Sequence, residues 1–183
     1  MLKIIALVTG AVLLLLAAAI AMRPPTFQVA RSIVILAPPE RVFPHVNDLH
    51  RWRAWNPFDR ADPAMQISYD GAAAGVGARY AYAGGKAGAG RMTIVQSEPG
   101  RQVGVRAEFF EPMAAVNRID FSFSPAPGGT EVTWTMTGAS NFLSKAVDLF
   151  VGFDSLLGKE FARGLEGLKA EVERSASPAP AAP

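Results

Sequence analysis

The chain has no cysteine and only 2 histidines among its 183 residues. The first absence removes disulfides, thiolate nucleophiles and sulfur-ligated metals, and it is compatible with either redox compartment. The second leaves little for a metal site. His45 and His50 stand five residues apart, about 140° around a continuous helix, and so miss the three- or four-residue spacing that shares a face. No metal is expected. Charge is also sparse, at 19% of the chain, and the 18 basic and 16 acidic residues are scattered, leaving a net charge of +2 without a basic run. Nucleic-acid binding rests on such a run or patch, so no nucleic-acid partner is expected. No serine sits in a G-x-S-x-G elbow, and the GGKAGAG stretch at Gly84–Gly90 lacks the order of a phosphate loop. No cofactor is expected either.

Apolar residues, by contrast, make up 50% of the chain. Their longest uncharged run is Ile4 to Met22, bracketed by Lys3 and by Arg23-Pro24-Pro25. At a rise of about 1.5 Å per residue, a helix of this length just crosses a hydrocarbon core of about 30 Å. Residues 1–25 therefore read as a single-pass N-terminal membrane anchor. The alternative is a cleaved secretory signal, for which Ala19-Ile20-Ala21 has the small-residue pattern. The run is longer than the apolar core of a usual signal, about 7–15 residues, which favours an anchor. Lys3 on one side faces Arg23, Arg31 and Arg41 on the other, so loop charge sets no clear orientation. The short leading tail favours a domain outside the cytoplasm.

Residues 26–174 have the length of one ordinary domain. Their apolar residues alternate with polar ones, as in strands with one buried face. Val132, Trp134 and Met136 share one side of Thr130–Gly138, and Ile119, Phe121 and Phe123 repeat the pattern upstream, with Pro125–Gly129 as the turn between them. Further strands are predicted over Phe27–Leu36, Met65–Asp70, Ala78–Ala83, Arg91–Glu98 and Arg101–Phe110, about seven in all. Pro38-Pro39-Glu40 opens a helix with Val42, Phe43 and Val46 as its buried stripe. A long terminal helix starts at Asn141, with Phe142, Ala146, Leu149, Phe153, Leu157, Phe161, Leu165, Leu168 and Val172 facing a sheet. Its glycines predict an interruption between Gly152 and Gly158. The final SASPAPAAP, residues 175–183, has too little apolar content to fold and is expected to be a disordered tail.

Several segments together carry a resemblance that covers Phe27 to Glu173: APPERVFPHVNDLHRWRAWNPF, GVGARYAYAGG with GRMTIVQSEPGR, GGTEVTWTMTG, and GKEFARGLEGLKAEVE. In this order they resemble the START-like or SRPBCC superfamily, the polyketide cyclase/dehydrase and lipid-transport proteins. Tyr82 departs from the pattern, standing where many relatives have tryptophan. The resemblance implies an α+β helix-grip fold of the START/Bet v 1-like kind. In it a curved antiparallel sheet of about seven strands wraps a long C-terminal helix and leaves a mostly apolar cavity between them.

Tyr80, Tyr82, Met92, Phe109, Phe121 and Trp134 are the aromatic and large residues expected to converge on that cavity, either as ligand-binding wall or as core. Asp154, on the helix, completes the candidate ligand-binding set. Glu108 and Arg79 read as surface groups, Glu111 flanks Phe109-Phe110 with nothing that places it inside, and Trp52 and Trp55 either form a mouth or pack on the sheet edge. No residue is assigned a catalytic role. The leading functional expectation is binding or transport of a hydrophobic small molecule or lipid. A polyketide cyclase/dehydratase-like enzyme and a co-chaperone-like interaction module are the alternatives. The sequence assigns no oligomeric state.

Overall fold

Seven strands form from the alternating segments: β1 (Thr26–Ile35), β2 (Gln66–Gly71), β3 (Ala78–Gly84), β4 (Gly88–Glu98), β5 (Gln102–Glu111), β6 (Ala115–Ala126) and β7 (Gly129–Ala139). The structure is a computed structural model, which describes residues 1–85, 88–150 and 152–175. All pairings are antiparallel, in the order β1-β7-β6-β5-β4-β3-β2. Strands β2 to β7 form a meander, and β1 returns beside β7 with Thr26 opposite Ala139. The helices are α1 (Leu2–Ala21), α2 (Pro39–Asn47), α3 (Pro57–Ala61), α4 (Phe142–Phe150) and α5 (Phe153–Arg174), with a 3₁₀ turn at Leu49–Ala54 between α2 and α3.

Strand parity decides what is buried. Val132, Trp134 and Met136 on β7 and Ile119, Phe121 and Phe123 on β6 all point inward and are buried. Phe161, Leu165, Leu168 and Val172 of α5 cover them. Trp52 and Trp55 also belong to this core and not to a mouth. Their indole N–H groups donate to the carbonyls of Val46 (2.9 Å) and His45 (3.0 Å), which lets two large rings be buried without an unmet donor.

The predicted long helix is two helices. Gly152 has φ +76°, in the left-handed region that glycine enters without a Cβ clash, so the helical path stops at the Gly152 end of the expected interval. The Asp148 carboxylate then accepts a hydrogen bond from the Phe153 amide (2.9 Å) and caps the start of α5. As a consequence α4 leaves the sheet. Phe142, expected on the buried stripe, is instead 58% exposed. The tail predicted over 175–183 falls, from residue 176 on, outside the described residues.

α5 approaches its neighbours closely because of glycines. A Cβ at Gly164 would stand 2.6 Å from Trp134 Cζ3 and 2.9 Å from Pro57 Cδ. Overpacking of this kind costs about 1–3 kcal/mol, more than alanine's helix-propensity gain of about 1 kcal/mol recovers when the contact is this short. Gly164→Ala is therefore expected to lower stability by about 1–2 kcal/mol, read as an earlier midpoint in denaturant. An unchanged or later midpoint would show that α5 has room to move.

Candidate functional site

Between the inner face of the sheet, α3 and the first turns of α5 lies a cavity of about 640 Å³, within the usual range of small-molecule sites. Its wall is mainly apolar. Tyr80, Tyr82, Met92 and Phe109 come from β3 to β5, Ile119, Trp134 and Met136 from β6 and β7, and Phe153 and Leu157 from α5. Polar groups gather on the α3 side, where Asn56, Asp59 and Asp62 reach the wall.

The segment Asn56-Pro57-Phe58-Asp59 explains that polar cluster. Asn56 accepts the Phe58 amide hydrogen (3.2 Å), and proline at the first helical position has no N–H to satisfy, so a short helix starts here. That turn carries Asp59 inward, where it is 4% exposed. Asp59 Oδ1 accepts hydrogen bonds from the Tyr80 hydroxyl (2.7 Å) and from Asn56 Nδ2 (3.3 Å). Burial pushes the Asp59 carboxyl up to about 6, against the opposing pull of the Tyr80 hydrogen bond and the Arg53 charge. The phenols of Tyr69, Tyr80 and Tyr82 are raised in turn, first by burial and then by the Asp59 charge. Two buried polar atoms on cavity-lining residues have no hydrogen-bond partner among the described residues, Asp59 Oδ2 and Trp134 Nε1.

Of the residues expected on the cavity, Tyr80, Tyr82, Met92, Phe109 and Trp134 line it. Phe121 does not. It points inward but is enclosed by Trp52 and Trp55 (both 5.9 Å) and Trp134 (5.0 Å), which places it in the core beneath the cavity. Asp154 lies outside it as well. It sits in the first turn of α5 over the edge strand β1, where the Arg31 guanidinium takes both its oxygens (2.7 and 2.8 Å), and its side chain is 68% exposed. This fork draws the carboxylate to the protein's edge and holds its pKa below the usual range. Glu108 pairs with Arg91 (2.9 Å) and Arg106 (3.3 Å), Arg79 pairs with Asp70, and Glu111 stands at the cavity rim. Sequence reasoning missed Asp59 and Asp62, although Asn56-Pro57 is a helix-start signal that would have put Asp59 in a first turn.

The cavity reaches the surface at one end of the sheet, where its lining residues Pro112 and Met113 in the β5–β6 connection and Asn141 before α4 are exposed and Ser144 of α4 is half-buried.

The sequence profile of the polyketide cyclase / dehydrase and lipid transport family matches residues 26–173. The chain belongs to this family. Solved structures agree on the fold of this polyketide cyclase / dehydrase and lipid transport domain. Protein CV1439 from Chromobacterium violaceum is 20% identical, with a TM-score of 0.57 over 82% of this chain and 99% of that one. The Aha1 dimer from Colwellia psychrerythraea is 18% identical, with a TM-score of 0.57 over 80% and 96%. The di-domain ARO/CYC StfQ of the steffimycin biosynthetic pathway is 11% identical, with a TM-score of 0.59 over 82% of this chain and 52% of that one. At these identities the likeness is one of fold. No curated protein matches the chain.

Proposed function

We propose that the chain binds or carries a hydrophobic small molecule or lipid in its cavity while α1 holds it in a membrane. The observation that carries this reading is the cavity itself, about 640 Å³ with a mainly apolar wall. Burial of an apolar ligand there releases about 25 cal/mol for each Å² taken out of water, the main source of affinity in such sites. Asn56, Asp59 and Asp62 on one side of the wall favour a ligand with a hydrogen-bonding group on an otherwise apolar body. α1 supports the tether, being a helix of 20 residues long and apolar enough to cross a membrane.

Cavity filling tests this. Met92 lines the wall from β4 without a hydrogen bond to lose among the described residues. Met92→Trp is expected to cut loading by a fluorescent fatty-acyl probe at least about tenfold, which corresponds to roughly 1.4 kcal/mol, with the fold kept by circular dichroism. Undiminished loading of a folded variant would contradict the reading.

A second reading has its own observation. Asp59 beside Tyr80 is a buried carboxyl poised to exchange a proton near neutral pH, as general acid–base chemistry of a cyclase or dehydratase requires. Recovery of a ligand chemically altered by the wild type but not by Asp59→Asn would favour it.

A further inference from the structure

α1 enters the domain at β1, and Thr26 at the start of β1 pairs with Ala139 at the end of β7. The register continues across the sheet, Asn117 opposite Gly138 and Phe109 opposite Ala115. The β5–β6 connection and the start of α4 therefore stand at the same end of the sheet as the exit of α1. This is also the end at which the cavity opens.

Contacts tie α4 to the end of α1. Arg23 pairs with Asp148 (2.8 Å), Lys145 Nζ donates to the Ala21 carbonyl (3.4 Å), and the Ser140 amide donates to the Pro25 carbonyl (2.7 Å). The polar side of α4 is thereby spent on the tether. Its other side is apolar and open: Phe142 and Phe150 stand eight residues apart, just over two turns, and share a face. Phe150 is 70% exposed, and Met113 across the mouth is 52% exposed. An amphipathic helix with its apolar face uncovered, in contact with the end of α1, is placed as an interfacial helix would be.

We infer that the cavity mouth rests on the bilayer, with Phe142 and Phe150 of α4 and Met113 of the β5–β6 connection dipping into its surface. This rests on the proposed anchor and cavity. The occupant is lipid because the patch is continuous with α1: any bilayer that contains α1 meets α4 first. An apolar ligand then moves between the acyl region and the cavity without crossing water, where its transfer would be opposed by the full hydrophobic effect.

The absence of cysteine makes the test clean. Single cysteines at Phe150, Met113 and, as a control at the opposite end of the sheet, Pro127 are labelled with the fluorophore NBD in the full chain. Each is reconstituted in phosphatidylcholine vesicles with the domain outward. Labels at 150 and 113 are expected to be blue-shifted, quenched by nitroxide-labelled lipid and protected from aqueous dithionite, while the label at 127 is none of these. Equal dithionite reactivity at all three in a chain that resists alkaline carbonate extraction would overturn the docking and leave the anchor standing. Extraction of the chain by carbonate would overturn the anchor and the docking with it. Protection from dithionite without quenching by lipid would mean that a second protein copy covers the patch, which also overturns the inference.

Discussion

Replacing Trp134 with alanine is expected to lower the unfolding free energy by about 3–5 kcal/mol, a large part of the roughly 5–15 kcal/mol that holds a domain together. The ring lies flat against Phe161 (4.4 Å between centroids, 6° between planes) and touches Phe121 at 5.0 Å and Trp55 at 5.7 Å. It thus joins β7 to α5 at the centre of the fold. Its indole N–H has no partner among the described residues, so truncation forfeits packing and no hydrogen bond. The space left would merge with the cavity and find no side chain to collapse into it. Denaturant unfolding of the full chain in detergent checks this. A loss below about 1 kcal/mol would mean that Trp134 is a wall of the cavity only and not part of what holds α5 to the sheet.

Asp59 should make the protein less stable as pH rises. Its carboxyl is pushed up to about 6 in the folded state, against about 3.9 for an unfolded aspartate. The folded state therefore holds the proton more tightly. Below pH 4 both states are protonated and the residue contributes no difference; above pH 6 both are ionised, and the folded state bears a burial penalty of about 2–3 kcal/mol at roughly 1.4 kcal/mol per pH unit of separation. Asp59→Asn keeps an oxygen for the Tyr80 hydroxyl and removes the charge. It is expected to raise stability by about 2 kcal/mol at pH 7.5 and to change little at pH 4. The comparison must be made against wild type at each pH, because Asp154 and Glu173, whose pKa values are lowered by Arg31 and by Lys169, lose stability in the opposite direction on acidification. An asparagine variant that is less stable at pH 7.5 would show that the ionised carboxylate is wanted where it lies.

The strands were legible because their burial follows a period of two: once Trp134 faces inward, Val132 and Met136 must as well. Parity does not give depth, however. Phe121 and Tyr80 both face inward, yet Phe121 is enclosed by indoles while Tyr80 reaches the cavity. The helix stripe from Phe142 to Val172 was legible as a pattern but not as two pieces, since the break depends on the positive φ of Gly152. That one residue turns Phe142 from core into exposed surface. Asp59 escaped notice for another reason: its environment is made by Tyr80, a strand residue 21 positions away, and no local spacing signals such a contact.

Whether the cavity carries an apolar cargo is decided by native mass spectrometry of the full chain, purified in mild detergent from its host membrane. One apolar molecule bound per wild-type chain and released on unfolding is expected, together with an empty Met92→Trp chain. Wild type that arrives empty and stays empty with a panel of lipids, or a Met92→Trp chain that carries the same mass, would contradict a ligand-carrying cavity.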